Sequence, residues 1–178
     1  NAIPLHCFDN FMPTYQFVKT LFSHYRDLMI DKEHFMVISP DEGAMNRAVY
    51  LANNLSVDMG MFYKRRDYSR IENGRNPIVA HEFLGTSVED KTVLIIDDMI
   101  SSGESMLDTA KELKDRKAKQ VIICCTFGLF TSGLDQFDEF YEKGYIDSVI
   151  TTNLTYRTPE LLSRPWYVEA DMSKFLAA

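Results

Sequence analysis

Asp97 and Asp98 close an apolar run that begins at Val93, and Ser101-Ser102-Gly103-Glu104-Ser105 follows two residues later. Adjacent carboxylates can accept hydrogen bonds from sugar hydroxyls or share a hard cation. A turn of small residues that opens a helix presents backbone N–H groups without intrahelical partners, and these favour an anion. Gly103 lets the backbone approach such an anion closely, while Ser102 and Ser105 add hydroxyl donors. Two acids beside an anion cradle would repel a bare anion. They suit a ligand that carries hydroxyls as well as phosphate, or one with Mg²⁺ between. A sugar phosphate meets both conditions, with the acids on its hydroxyls and the loop on its phosphate. Residue types alone leave a second reading open: the acids are a solvated strand end, and Ser101 or Ser102 is an ordinary helix cap.

The elements that must position these residues alternate between strand and helix. Phe17, Val18, Leu21, Phe22, Tyr25, Leu28 and Met29 recur at helical spacing, which predicts an amphipathic helix over 14–30. Phe35 to Ile38 reads as a short strand halted by Ser39-Pro40-Asp41, and Ala44 to Leu55 as a second helix. Val57, Met59, Met61 and Tyr63 alternate as a strand does, and 78–84 is expected to pair with it in a hairpin. Lys64 to Pro77 is polar and aperiodic, as an exposed loop would be. Thr92 to Ile96 and Val121 to Phe127 are continuous apolar runs of the kind buried on both faces of a parallel sheet. Helices follow each of them, around Met106 to Leu113 and Leu134 to Tyr141, and short strands are expected at 149–152 and 166–168. This order predicts an α/β fold: a mostly parallel twisted sheet with helices on both faces.

The length of 178 residues fits one domain, and 46% hydrophobic residues supply its core. No apolar run is long enough to span a membrane, and no signal peptide is visible at the start. A net charge of -7 argues against a broad nucleic-acid surface. Cys7, Cys124 and Cys125 make no disulfide framework, and the adjacent pair should point to opposite faces of one strand as buried thiols, in keeping with a reducing cytoplasm. The chain opens with Asn1-Ala2 and no Met, as a fragment would. The four histidines show no ligand spacing, and Trp166 is expected in the core. Lys64-Arg65-Arg66 reads as a solvated charge run, and Asp41 as a turn initiator or helix cap, unless a ligand claims them.

"IIDDMISSGES" closely resembles the ribose-phosphate signature of type I phosphoribosyltransferase-fold proteins. More narrowly, the chain is similar to the C-terminal half of the ribose-phosphate pyrophosphokinases. "VISPDEGAMNRA" resembles that family's pyrophosphate-side loop, "YKRRDYSR" its strand end and mobile catalytic loop, and "CCTFGLFTSG" the segment after its next strand. The four motifs keep the family's order. The resemblance implies that residues 1–178 are a single phosphoribosyltransferase-like domain of a longer two-domain protein. Such enzymes move the pyrophosphoryl group of ATP to the 1-hydroxyl of ribose 5-phosphate, giving phosphoribosyl pyrophosphate and AMP. Lys64 and Arg66 would be the catalytic cations, with Arg66 also near the sugar phosphate. Asp97, Asp98, Ser101, Ser102, Gly103, Glu104 and Ser105 would bind ribose 5-phosphate, and Asp41 would help hold Mg²⁺. The resemblance also implies a homo-oligomer acting on small molecules, with neither nucleic acid nor membrane as partner. Because much of the family's ATP-binding equipment lies in the first half, the fragment is expected to turn over poorly.

The chain departs from the family pattern at several points. Ser101 stands where a third acid is usual, Glu104 where a second glycine is common, Ala44 and Asn46 where a glycine and a basic residue are common, and Phe127 where the family has His. Such departures suit a divergent subgroup, altered ligand affinity or lost activity. The alternatives are a nucleobase phosphoribosyltransferase and a non-catalytic relative that associates with an active synthetase.

Overall fold

A computed structural model describes residues 11–66 and 78–177, without the side chains of 64–66 and 78–81. In chain order the elements are α1 (Thr14–His24), β1 (Phe35–Ser39), α2 (Met45–Leu55), β2 (Asp58–Arg66), β3 (Ile78–Leu84), β4 (Thr92–Ile100), α3 (Glu104–Asp115), β5 (Gln120–Gly128), α4 (Asp135–Glu142), β6 (Ser148–Thr152), α5 (Pro159–Leu162), β7 (Tyr167–Ala170) and α6 (Ser173–Leu176). The strands form one sheet in the order β3-β2-β1-β4-β5-β6-β7. Every neighbouring pair is parallel except β2 with β3, the hairpin that the sequence predicts.

A strand covered on both faces buries every side chain, which is why its sequence is a continuous apolar run rather than an alternating one. Alternate residues of β4 serve two cores. Leu94 and Ile96 pack with Phe17 and Leu21 of α1 and Leu51 of α2, while Val93 and Ile95 pack with Met106 and Leu107 of α3 and Phe137 of α4. The cysteine pair divides in the same way, Cys124 into the first core and Cys125 into the second. Burial pushes both thiols well above their ordinary pKa. Trp166 is fully buried, and its indole N–H donates to Asp138 Oδ1 at 2.7 Å. Cys7 lies outside the described residues. No helix among those described is long and apolar enough to cross a membrane.

Three elements differ from expectation. The helix predicted over 14–30 ends at His24, where the chain turns so that the Tyr25 hydroxyl reaches the Ser148 hydroxyl of β6 at 2.6 Å. The alternating strand continues past Tyr63 through Arg66, because Lys64 and Arg65 stay in register with His81 and Ala80 of β3. β4 does not stop at Ile96 either. Met99 and Ile100 remain paired with Phe127 and Gly128 of β5, so the two acids lie inside a strand rather than at its end.

Candidate functional site

The strand order makes one crevice. From β1 the chain builds β2 and β3 on one side, then crosses to the other side of β1 to form β4. Where an open α/β sheet reverses in this way, the space beyond the carboxyl ends of the two diverging strands receives the ligand. β1 accompanies β4 only as far as the Ile38–Ile95 pair, whereas β5 accompanies it to Ile100. Asp97 and Asp98 therefore sit on an overhang with a neighbour on one side only. On the other side the pairing with β1 has ended, and the turn after β1 begins there.

Within the overhang the two acids differ. The Asp97 side chain is 21% exposed and that of Asp98 54%. The backbone N–H of Asp98 donates to Asp97 Oδ1 at 2.8 Å. Arg47, in the first turn of α2, lies across both: Nη1 is 3.5 Å from Asp97 Oδ1 and Nη2 is 3.5 Å from Asp98 Oδ2. The Asp97 carboxyl is pushed up to about 6, first by burial and further by the charges of Asp98 and Asp41, against the pull of the Asp98 N–H and Arg47. Arg47 was not among the predicted site residues. Its local signal is a lone cation opening a helix that has no acid in its first turn.

The turn Ser101–Gly103 leads into α3. Gly103 is the N-cap residue, with φ at 90°, and no side chain caps the helix. The reading of Ser101 or Ser102 as an ordinary side-chain cap therefore does not hold. Only glycine suits the position on two counts: the positive φ, and an added Cβ that would lie 2.5 Å from the Phe137 ring. Phe137 in turn stacks on Trp166 at 5.5 Å between ring centroids. The segment after β5 laces the turn from the other side, with Leu129 N–H donating to the Ile100 carbonyl and Thr131 N–H to the Ser101 carbonyl, both at 2.9 Å. The Ser101 and Thr131 hydroxyls are 3.5 Å apart. Glu104 is exposed in the first helical turn and forms no ion pair among the described residues. Its charge suits the helix dipole and competes with any other anion there.

Asp41 closes the turn after β1 as the simpler reading expects: the Ala44 N–H donates to its Oδ1 at 3.2 Å. Its charge also reaches Asp97. Lys64 and Arg66 fall near the carboxyl end of β2, at the same end of the sheet as the acids, with a register shift between Arg65 and Arg66. Their side chains, and residues 67–77, which the sequence predicts as part of an exposed loop, lie outside the described residues. The structure thus gathers Asp41, Arg47, Asp97 and Asp98, with Ser101 to Ser105 following from the same strand end.

Among the described residues no three His, Cys, Asp or Glu side chains form a ready-made metal cage. Mg²⁺ commonly takes only one or two carboxylates and completes its shell with water and substrate phosphate oxygens. Asp41, Asp97 and Asp98 are oxygen donors of the right kind for such a shared site, so the donor set fits that ion.

The phosphoribosyl transferase domain model matches residues 9–151. Ribose-phosphate pyrophosphokinase of Mycoplasma genitalium is 33% identical over 126 residues, covering 70% of this chain and 36% of that protein. Its counterpart in Thermotoga maritima is 34% identical over 124 residues, again 70% of this chain and 36% of the relative. The chain thus spans little more than a third of the length of these relatives. Among solved structures, phosphoribosylpyrophosphate synthetase from Mycobacterium smegmatis superimposes with a TM-score of 0.71 at 25% identity, over 91% of this chain and 48% of that one. An adenine phosphoribosyltransferase superimposes at 0.51 with 16% identity, over 69% and 72% of the two chains, which is a likeness of fold alone. The family match runs through most of the chain and takes in both turns that border the crevice, so this chain belongs to the phosphoribosyl transferase domain family.

Proposed function

We propose that this chain is the C-terminal, ribose 5-phosphate-binding domain of a longer, two-domain ribose-phosphate diphosphokinase. The observation that carries the reading is the overhang of β4. It puts paired carboxylates at the reversal of strand order, immediately before a glycine turn that starts a helix without a side-chain cap. Acids suit sugar hydroxyls, and a helix start of this kind suits a phosphate. The similarity to ribose-phosphate pyrophosphokinases supports this ligand over other sugar phosphates.

In the proposed reaction the 1-hydroxyl oxygen of ribose 5-phosphate attacks the β-phosphorus of ATP and AMP leaves. Asp97 and Asp98 hold the ribose hydroxyls and so aim the attacking oxygen. Ser101 to Ser105 fix the 5-phosphate by backbone N–H groups and hydroxyls. Lys64 and Arg66 neutralise charge on the group in transfer, which is the main catalytic demand of phosphoryl chemistry. Asp41 would help hold Mg²⁺, and that ion would add further charge neutralisation. The intact protein works as a homo-oligomer in the cytoplasm, and the 178-residue chain alone turns over poorly.

Incubating the full-length parent with ribose 5-phosphate and MgATP tests the proposal, with AMP as the readout. AMP and phosphoribosyl pyrophosphate should form together. A parent that instead joins purine or pyrimidine bases to phosphoribosyl pyrophosphate is a nucleobase phosphoribosyltransferase. One that binds ligand without releasing AMP is a non-catalytic relative. Rapid synthesis by the 178-residue chain alone would overturn the dependence on a second domain.

A further inference from the structure

Arg47 is badly placed for the helix that carries it. A cation in the first turn opposes the helix dipole, and α2 has no acid in that turn to offset it. What the position provides is reach across to β4. The two ends of one planar guanidinium approach two different carboxylates, Asp97 and Asp98, at 3.5 Å each. Arginine suits this task because its fork is rigid and its charge permanent. A partly buried carboxylate without compensating charge is costly, and here Asp97 has both Asp98 and Asp41 as like-charged neighbours. The acids can be neutralised by a bound divalent ion or by a cation the protein brings itself. Arg47 is the second kind.

Bridging also decides which oxygens remain. Asp97 Oδ1 takes the Asp98 N–H and one arm of Arg47, and Asp98 Oδ2 faces the other arm. Among the described residues nothing donates a hydrogen bond to Asp97 Oδ2 or Asp98 Oδ1. Among the described residues these two oxygens are the acceptors left for a vicinal diol. On the ligand reading given above, we propose that Arg47 is a positioning residue, the built-in counter-cation of the acid pair, which lets ribose 5-phosphate bind without a metal ion.

Calorimetric titration of ribose 5-phosphate into the 178-residue chain tests this in two buffers, one with EDTA and one with Mg²⁺. Wild-type affinity should change less than about threefold between them. Arg47→Met removes the charge and keeps the stem, and should weaken binding in EDTA by about tenfold or more, as loss of a charge-assisted contact does. Mg²⁺ should restore part of that loss, which a merely structural defect would not allow. Arg47→Lys keeps the charge without the fork and should fall between, and it serves as the readout if Arg47→Met does not melt cooperatively. Wild-type binding that vanishes in EDTA, or an Arg47→Met chain that binds like wild type in EDTA, overturns the proposal. No binding in either buffer removes the ribose 5-phosphate reading itself, and this inference with it.

Discussion

β4 contains two regions with opposite priorities. From Thr92 to Ile95 it lies between β1 and β5, every residue through Ile96 is buried, and the side chains alternate between two cores. From Asp97 to Ile100 it keeps β5 but has lost β1, and the residues it exposes are two acids and Met99. The first stretch holds the sheet together. The second uses that rigidity to hold two like charges side by side, Asp98 open to solvent and Asp97 largely withdrawn from it, which the stability of the fold alone would not select. The proposed ligand site is carried on a strand that runs five residues beyond its last pair with β1.

Four substitutions sharpen or break this contrast. Ile95→Ala, in the buried stretch, should cost roughly 2–5 kcal/mol of stability by leaving a cavity. Urea denaturation measures it, and a loss below about 1 kcal/mol would mean that the stretch is not the structural anchor. Gly103→Val should cost roughly 2–4 kcal/mol, from backbone strain at positive φ and collision with Phe137. It should also abolish sugar-phosphate binding where the chain still melts cooperatively.

Asp97→Asn should do the reverse and stabilise the protein. The Asp97 carboxyl titrates at about 6 in the folded chain, above the usual carboxylate value near 4. The folded state therefore binds more protons than the unfolded state between those pH values, and stability falls as pH rises through that window. The penalty is complete above about pH 6 and absent below about pH 4. Asp97→Asn should gain on the order of 1–3 kcal/mol at pH 7.5 and nothing at pH 3.5, while ribose 5-phosphate affinity drops about 10–100-fold through loss of a charged acceptor. Thermal melts at the two pH values check the sign. Ser102→Ala should be the mildest change, within about 0.5 kcal/mol of wild-type stability. The loss of one hydroxyl contact should weaken binding only about three- to tenfold.

The buried half of β4 was legible in the sequence because a doubly covered strand has to be apolar throughout. Strand order was not, since nothing local to Phe35–Ser39 or to Thr92–Ile100 says that they are neighbours. The overhang was misjudged for a related reason. Aspartate is poor strand material, and only the pairing of Met99 and Ile100 with β5 keeps the strand going past it. Gly103 is expected from the sequence to let an anion approach closely; what the structure packs against it is the Phe137 ring, from a helix more than thirty residues on, which no local signal foretold. Arg47 escaped notice because both its partners lie some fifty residues away. Asp41 was legible as a turn closer, and the structure displays that role through Ala44; its share in holding Mg²⁺ comes from the family resemblance and stands as a proposal.

The central claim is that the crevice between β1 and β4 takes a phosphorylated pentose on Asp97, Asp98 and the Gly103 turn. Titrating ribose 5-phosphate against the chain and against an Asp97→Asn, Asp98→Asn double variant, with unphosphorylated ribose as control, tests it most directly. The account predicts one site per chain, at least tenfold weaker binding of ribose, and no measurable binding by the double variant. Undiminished binding by that variant, or heat at no ligand concentration for the wild type, would contradict it.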